Sequence, residues 1–302
     1  MKMWIWIVAL VALAMEGDAE GTDVGGVETD RGLVFESVGG KDLKLDLYRP
    51  EARTGNVPVV VLIYGGAWMM RNPGFEVPKA NWLAMHAYAA AVIDYRLSSE
   101  ALFPAQIYDC KAAVRWLRAN AAEYGLDAAH VGAWGESSGG HLACLLGTSG
   151  NVAALEGNLG NTNESSRVQA VVDFFGPTDL LQMPAHQLPG SFLDHNAATS
   201  PESRLVGGPV QQNREKAERA NPIKYVTRDG PPFLIVHGEQ DPLVPCNQSE
   251  LLYAALKAAG GEVTFCKIAG AGHGGPEFSS GMMRAAVLAF LDSHLKPRLG
   301  RP

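Results

Sequence analysis

A serine in a glycine-flanked turn is the residue of this sequence best suited to covalent chemistry. Residues 135–139 read GESSG, directly after an apolar run at residues 131–134 and directly before an apolar helical stretch. In such a strand–turn–helix the serine hydroxyl is exposed above the sheet, and the following N–H lies at a helix N-terminus. The pattern predicts Ser137 as a nucleophile and the Ser138 N–H as an oxyanion donor. Ser138 is the alternative nucleophile, but the spacing of the glycines selects Ser137.

A serine nucleophile needs a base and an acid that orients the base, and two later loops supply candidates. The apolar run at residues 232–237 leads into Asp241, and the run at residues 262–267 leads into a glycine-rich loop with His273. Loops after parallel strands meet at one edge of a sheet. We therefore expect His273 to be the base and Asp241 the acid. Glu239, which lies nearer the end of its strand, is the alternative acid.

The second oxyanion donor is expected on the loop after an early strand. Residues 57–64 are almost wholly apolar, and the residues that follow read GGAW. Adjacent glycines let the backbone approach a substrate oxygen closely, so the amides of Gly66 and Ala67 are the predicted donors. For Trp68 and Met69 two interpretations stay open, a wall of the acyl pocket or ordinary core packing.

Short apolar strands alternate with longer helical patterns along the chain. This alternation is typical of an α/β fold, in which helices cover both faces of a mostly parallel sheet. The predicted strands are residues 43–48, 57–64, 89–95, 131–134, 168–175, 232–237 and 262–267, and the predicted helices include residues 104–123, 248–259 and 278–294.

A single catalytic domain is expected over residues 32–298. Residues 180–222 interrupt the alternation, because they are rich in polar residues and proline and contain no convincing strand. A long excursion of this kind is more often functional than idle, so we interpret it as a small cap-like insertion. His186 and His195 lie in it and are candidates for contact with substrate.

The N-terminus predicts export. Lys2 precedes an apolar run at residues 3–15, and small residues follow, as in a secretory signal peptide over residues 1–19. The run is shorter than the roughly 20 residues that a membrane span needs. We therefore expect a secreted or periplasmic protein without stable membrane insertion, with an uncleaved N-terminal anchor as the alternative. Residues 20–31 are expected to form a flexible tail.

Composition excludes some classes of partner. The chain has 302 residues, of which 47% are hydrophobic and 19% charged, and its formal net charge is -7. Nucleic acid and anionic membranes both need a basic face, so neither is expected as a partner. No Cys or His spacing suits a metal, and serine chemistry requires no cofactor. Cys246 and Cys266 flank one predicted helix, and a disulfide between them stays open, as does the oligomeric state.

The sequence resembles the hormone-sensitive-lipase-like α/β-hydrolases, and more closely the bacterial carbohydrate-esterase branch of feruloyl and acetyl-xylan esterases. The resemblance runs from about Leu43 to Leu291 and rests on several separate blocks. They are YGGAW at 64–68, DYRL at 94–97, FPAQ at 103–106, GESSGG at 135–140, FGPTD at 175–179, HGEQDPLVP at 237–245 and GHG at 272–274. The resemblance implies an α/β-hydrolase fold with a triad and an oxyanion hole, carried over to Ser137, Asp241, His273, Gly66, Ala67 and Ser138.

The chain departs from that family next to the oxyanion glycines. The family usually has a histidine there, and this chain has Tyr64. The histidine braces the loop and does not react, so the resemblance implies retained activity with altered loop geometry. Ala67 stands where many relatives have a third glycine.

The expected activity is hydrolysis of carboxylic esters, with acetyl or feruloyl groups on carbohydrate as expected substrates. A prolyl-type peptidase or an amidase on the same fold is the alternative. Those peptidases usually carry a large N-terminal propeller, and only about forty residues precede the matching region here. A catalytically inactive binding protein is a further alternative, which the complete set of triad and donor residues argues against.

Overall fold

An eight-stranded, mostly parallel sheet forms the centre of the molecule. The computed structural model describes residues 25–150, 152–191 and 193–296, and the predicted signal peptide lies outside them. The strands are β1 (Val27–Val38), β2 (Lys41–Pro50), β3 (Val57–Ile63), β4 (Ala89–Ile93), β5 (Leu126–Glu136), β6 (Ala170–Phe174), β7 (Phe233–Gly238) and β8 (Val263–Ile268). Their order is β1-β2-β4-β3-β5-β6-β7-β8. The β1–β2 and β2–β4 pairs are antiparallel, and strands β3 to β8 are parallel to one another.

Helices pack on both faces of this sheet. They are α1 (Val77–Ala84), α2 (Ala105–Ala119), α3 (Ala121–Tyr124), α4 (Ser138–Thr148), α5 (Pro201–Val206), α6 (Arg214–Arg219), α7 (Asn247–Ala258) and α8 (Gly281–Leu295). Successive side chains of β3 point to opposite faces. Val61 joins the hydrophobic cluster of α2, α4 and α7, and Leu62 joins that of α1 and α8. The predicted α/β architecture is confirmed.

No helix within the described ranges is both long enough and apolar enough to cross a membrane.

Strand β1 starts inside the segment that the sequence assigned to a flexible tail. It begins at Val27, so that assignment is wrong for residues 27–31. β1 pairs with β2 at the edge of the sheet, and Asp30 on β1 forms an ion pair with the buried Arg49 of β2. Much of the strand is exposed, so it carries few of the alternating apolar residues by which strands are recognised.

The excursion at residues 180–222 connects β6 to β7 and contains the short helices α5 and α6. Its described residues form no strand, as the sequence predicts. The carbonyl of Leu205 accepts a hydrogen bond from the Phe103 N–H at 2.9 Å, just before α2. The carbonyl of Ala220 lies 2.7 Å from Nε2 of His141 in α4. The excursion therefore packs on α4 and on the segment just before α2.

The four cysteines are free thiols in the structure, and Cys246 and Cys266 are not bridged. Burial raises the pKa of Cys246 to about 11, so its thiol is protonated at neutral pH. Neither cysteine contributes a covalent link to the fold.

Candidate active site

The loops at the carboxyl edge of the sheet join Ser137, His273 and Asp241 in one chain of hydrogen bonds. His273 Nε2 lies 2.9 Å from Ser137 Oγ, and His273 Nδ1 lies 2.6 Å from Asp241 Oδ2. Because Nδ1 faces a carboxylate, it carries the proton and leaves Nε2 to accept from the serine hydroxyl. Glu239, the alternative acid, is exposed to solvent. The arrangement is suited to proton transfer from the serine to the histidine.

Ser137 occupies a strained turn between β5 and α4. Its φ of 53° lies in the left-handed region that a residue with a side chain rarely adopts. The glycines on either side are required by space. A Cβ on Gly139 would lie 1.9 Å from the carbonyl oxygen of Ile63, and one on Gly135 would lie 2.1 Å from the carbonyl oxygen of Gly139. The GESSG spacing therefore follows from the close approach of α4 to β3.

Three backbone N–H groups beside this turn are available to an oxyanion. Ser138 begins α4, so its N–H has no partner one turn earlier in the helix. The N–H groups of Gly66 and Ala67 donate to no other group of the described residues. The loop of Ala67 lies against the nucleophile turn, because a Cβ on Gly65 would be 3.2 Å from Ser137 Cβ. The predicted donors and the nucleophile thus lie on neighbouring segments.

The loop after β3 closes on itself at Gly66. The Gly66 carbonyl accepts from the N–H groups of Met69 at 2.9 Å and Met70 at 3.0 Å. Trp68 is 2% exposed, and its indole Nε1 donates to Nδ1 of His141 at 3.3 Å. Met69 is half-buried. Of the two interpretations for Trp68, the structure favours core packing.

Asp241 is a buried carboxylate with hydrogen-bond donors on both oxygens. Oδ1 accepts from the N–H groups of Leu243 at 2.8 Å and Val244 at 2.9 Å. Burial alone would raise the pKa of Asp241, but the charge of His273 and hydrogen bonds from His237 and His273 outweigh it. The pKa therefore lies well below its usual range. Asp241 is ionised at neutral pH and can stabilise a positively charged His273.

His237 is a second histidine on this carboxylate, and the sequence did not assign it to the site. Its Nε2 lies 2.9 Å from the Val244 carbonyl and 3.2 Å from Asp241 Oδ2. Its Nδ1 lies 2.7 Å from Ser249 Oγ, and the side chain is fully buried. The four-residue spacing between His237 and Asp241, across the end of a buried strand, is the signal that could have revealed it.

Phe175 packs on His273 from the loop after β6. Its ring centroid lies 4.6 Å from that of His273, and its φ of 44° is again in the left-handed region.

The two histidines of the excursion lie apart from the chain of hydrogen bonds that joins Ser137, His273 and Asp241. His195 is buried with its Nδ1 3.0 Å from Glu202, and His186 is exposed.

Within the described part of the chain, no three His, Cys, Asp or Glu side chains are grouped so that they could hold a metal ion.

The fold and site together define an α/β-hydrolase, with the serine after β5, the acid after β7 and the histidine after β8. Residues 45–256 match the BD-FAE family, and the chain belongs to that family. The resemblance inferred from the sequence motifs is confirmed.

Relatives and solved structures extend this assignment. The chain is 33% identical over 270 residues to LipQ, an esterase of Mycobacterium tuberculosis, covering 87% of this chain and 62% of LipQ. The chain thus spans less than two thirds of that relative. A truncated carbohydrate esterase from gut microbiota superposes with a TM-score of 0.82 at 33% identity, covering 92% of this chain and 99% of that one. A bifunctional GH43-CE protein of Bacteroides eggerthii superposes with a TM-score of 0.78 at 37% identity, covering 88% of this chain and 38% of that one.

We predict that Gly139→Ala is severely destabilising, because its Cβ would overlap the Ile63 carbonyl oxygen at 1.9 Å. The expected loss is about 3 kcal/mol or more in the free energy of unfolding, with loss of activity. The matched control is Gly281→Ala at the start of α8, where nothing lies within 4 Å of the new Cβ. Urea unfolding of both variants checks this, and equal stability of the two would contradict the steric argument.

His141 links the loop of Trp68 to the excursion as a neutral imidazole. Its Nδ1 accepts from Trp68, so the proton is on Nε2 and is donated to the Ala220 carbonyl. Burial lowers the pKa of His141 to about 4, and the hydrogen bond to Ala220 opposes this only in part. Protonation would leave Nδ1 with a proton facing the Trp68 donor.

His141 should make the protein less stable in acid. Its pKa in the folded state is about 4, below the usual histidine value of 6.5. The unfolded chain therefore binds the proton first, and stability present above pH 6.5 is lost as the pH falls towards 4. Between pH 7 and pH 4.5, we expect the free energy of unfolding of His141→Gln to fall by about 2 kcal/mol less than that of the wild type. Urea unfolding at both pH values measures this difference, and parallel pH profiles would contradict it.

Proposed function

We propose that the protein is a serine carboxylic-ester hydrolase that works through an acyl-enzyme. The observation that carries this proposal is the continuous chain from Ser137 Oγ through His273 to the ionised Asp241. The relatives support it, since LipQ and the gut carbohydrate esterase are both described as esterases. The proposed catalytic residues are those three side chains.

In the first half of the reaction Ser137 Oγ attacks the ester carbonyl while His273 Nε2 removes the hydroxyl proton. The carbonyl oxygen becomes an oxyanion, which the N–H groups of Gly66, Ala67 and Ser138 stabilise. His273 then gives its proton to the departing alcohol, and the acyl group remains on Ser137. Asp241 stabilises the transient positive charge on His273.

In the second half a water molecule takes the place of the alcohol. His273 removes a proton from the water, which attacks the acyl carbonyl and re-forms the oxyanion. The bond to Ser137 Oγ then breaks, the serine regains its proton from His273, and the carboxylic acid leaves. Every proton is moved by one imidazole, so the proposed reaction uses no metal or organic cofactor.

We propose acetyl or feruloyl esters of carbohydrate as the substrates. Two solved structures support this, because one is described as a carbohydrate esterase and the other as a bifunctional GH43-CE protein, at 33% and 37% identity. We also propose that the protein acts outside the cytoplasm, since residues 1–19 have the pattern of a secretory signal peptide. A carbohydrate polymer is a substrate met outside the cell.

A panel of substrates tests the proposed activity. We expect turnover of p-nitrophenyl acetate above that of the butyrate and octanoate esters, together with activity on methyl ferulate or acetylated xylan. A prolyl p-nitroanilide should be turned over far more slowly or not at all. Initial rates measured side by side check this order, and cleavage of the amide without cleavage of any ester would overturn the substrate class.

Substitution of the two adjacent serines tests the nucleophile. Ser137→Ala should lower kcat for p-nitrophenyl acetate by about 10⁵ or more, because no acyl-enzyme can form. Ser138→Ala keeps its backbone N–H and should retain the larger part of the rate. Asp241→Asn, which leaves His273 without a carboxylate, should cost about 10³ to 10⁴ in kcat. Full activity in Ser137→Ala would show that the assignment is wrong.

A further inference from the structure

Tyr64 ends the buried run of β3 and lies directly before the loop of the oxyanion donors. Its ring is fully buried and stacks on Tyr95, with ring centroids 4.6 Å apart. Its hydroxyl donates to Asp94 Oδ1 at 3.0 Å. Burial, and then the neighbouring Tyr95 and Asp94, raise the pKa of Tyr64 above its usual range. The phenol is therefore neutral and acts as a hydrogen-bond donor.

The second oxygen of Asp94 forms an ion pair with Arg71, which follows the same loop. Asp94 thus contacts the residue before the loop and the residue after it. Arg71 also donates from Nη2 to Glu100 Oε2 at 2.9 Å. A single carboxylate on the segment after β4 therefore joins both ends of the loop formed by residues 65–70.

The middle of the loop needs such support. Ala67 and Trp68 both have φ of 55°, in the left-handed region where residues with side chains are strained. The loop has contacts of its own, since the Trp68 carbonyl accepts from the Ser98 N–H at 2.7 Å. Strained backbone persists only where its surroundings hold it. The contacts of Tyr64 and Arg71 with Asp94 add such support at the two ends of the loop.

We propose that Tyr64 and Arg71 are positioning residues that act through Asp94 to hold the Ala67 N–H where it meets the oxyanion. This inference rests on the proposed esterase function. It predicts that loss of either contact with Asp94 affects the transition state more than the bound substrate, since the oxyanion exists only during the chemical steps.

Tyr64→Phe tests the proposal, with Tyr88→Phe as a matched control. Tyr88 is equally buried and donates its hydroxyl to Asp292 at 2.7 Å. It directly precedes β4, at the amino edge of the parallel strands and opposite the site. We expect Tyr64→Phe to lower kcat for p-nitrophenyl acetate about tenfold with little change in KM. Tyr88→Phe should lower the thermal midpoint and leave kcat near the wild-type value.

Arg71→Gln gives a second, independent measurement should Tyr64→Phe fold poorly. The Arg71 side chain is 27% exposed, and the control is Arg53→Gln, whose side chain is 24% exposed and pairs with Glu28. Arg71→Gln should lower kcat in the same direction, and Arg53→Gln should not. Because both contacts involve the same carboxylate, the fold-decrease in kcat of Tyr64→Phe/Arg71→Gln should be less than the product of the two single fold-decreases.

The outcomes separate this inference from the proposed function. If Tyr64→Phe and Arg71→Gln keep the wild-type kcat, or raise KM alone, while Ser137→Ala is inactive, the positioning role is wrong and the esterase mechanism stands. If Ser137→Ala remains active, the proposed function itself fails. The inference is supported if Tyr64→Phe and Arg71→Gln lower kcat while the kcat of both controls stays near the wild-type value.

Discussion

The turn between β5 and α4 can exist only because no side chain occupies the glycine positions beside Ser137. Gly139 leaves no room for a Cβ against the Ile63 carbonyl, so α4 starts almost in contact with the end of β3. That closeness places the unpaired N–H of Ser138 beside the loop that carries Ala67. The other loops of the sheet edge then bring an acid and a base to a serine that is already held in place.

A buried charge is the second requirement of the site. Asp241 is 1% exposed, and an ionised carboxylate in such a place needs donors. Two backbone N–H groups, His273 and His237 supply them, so the carboxylate is satisfied before any substrate binds. Preorganisation of this kind means that, in the proposed mechanism, charge can develop on His273 without rearrangement of its surroundings. Asp94, whose side chain is 17% exposed, likewise contacts donors at both ends of one loop.

How much the sequence could predict depended on how local the signal was. The turn of Ser137 follows from glycine spacing and the change from strand to helix, and loop order after parallel strands places the candidates for acid and base. β1 was missed because an exposed edge strand has little apolar alternation, and α1 because it is only 8 residues long. His237 lies four residues before Asp241, and that spacing could have revealed it. Arg71 and Asp94 become neighbours only through tertiary folding, and no spacing along the chain marks them as parts of one site.

The central claim is that Ser137 is an activated nucleophile, and covalent labelling tests it most directly. The protein would be treated with a fluorophosphonate ester, digested and mapped by mass spectrometry, with His273→Ala treated in parallel. The account predicts one phosphonyl group per chain, on Ser137, and almost none in the variant that lacks the base. A label on Ser138 in place of Ser137 would contradict the account. So would a treated protein that still hydrolyses esters but carries no label on Ser137.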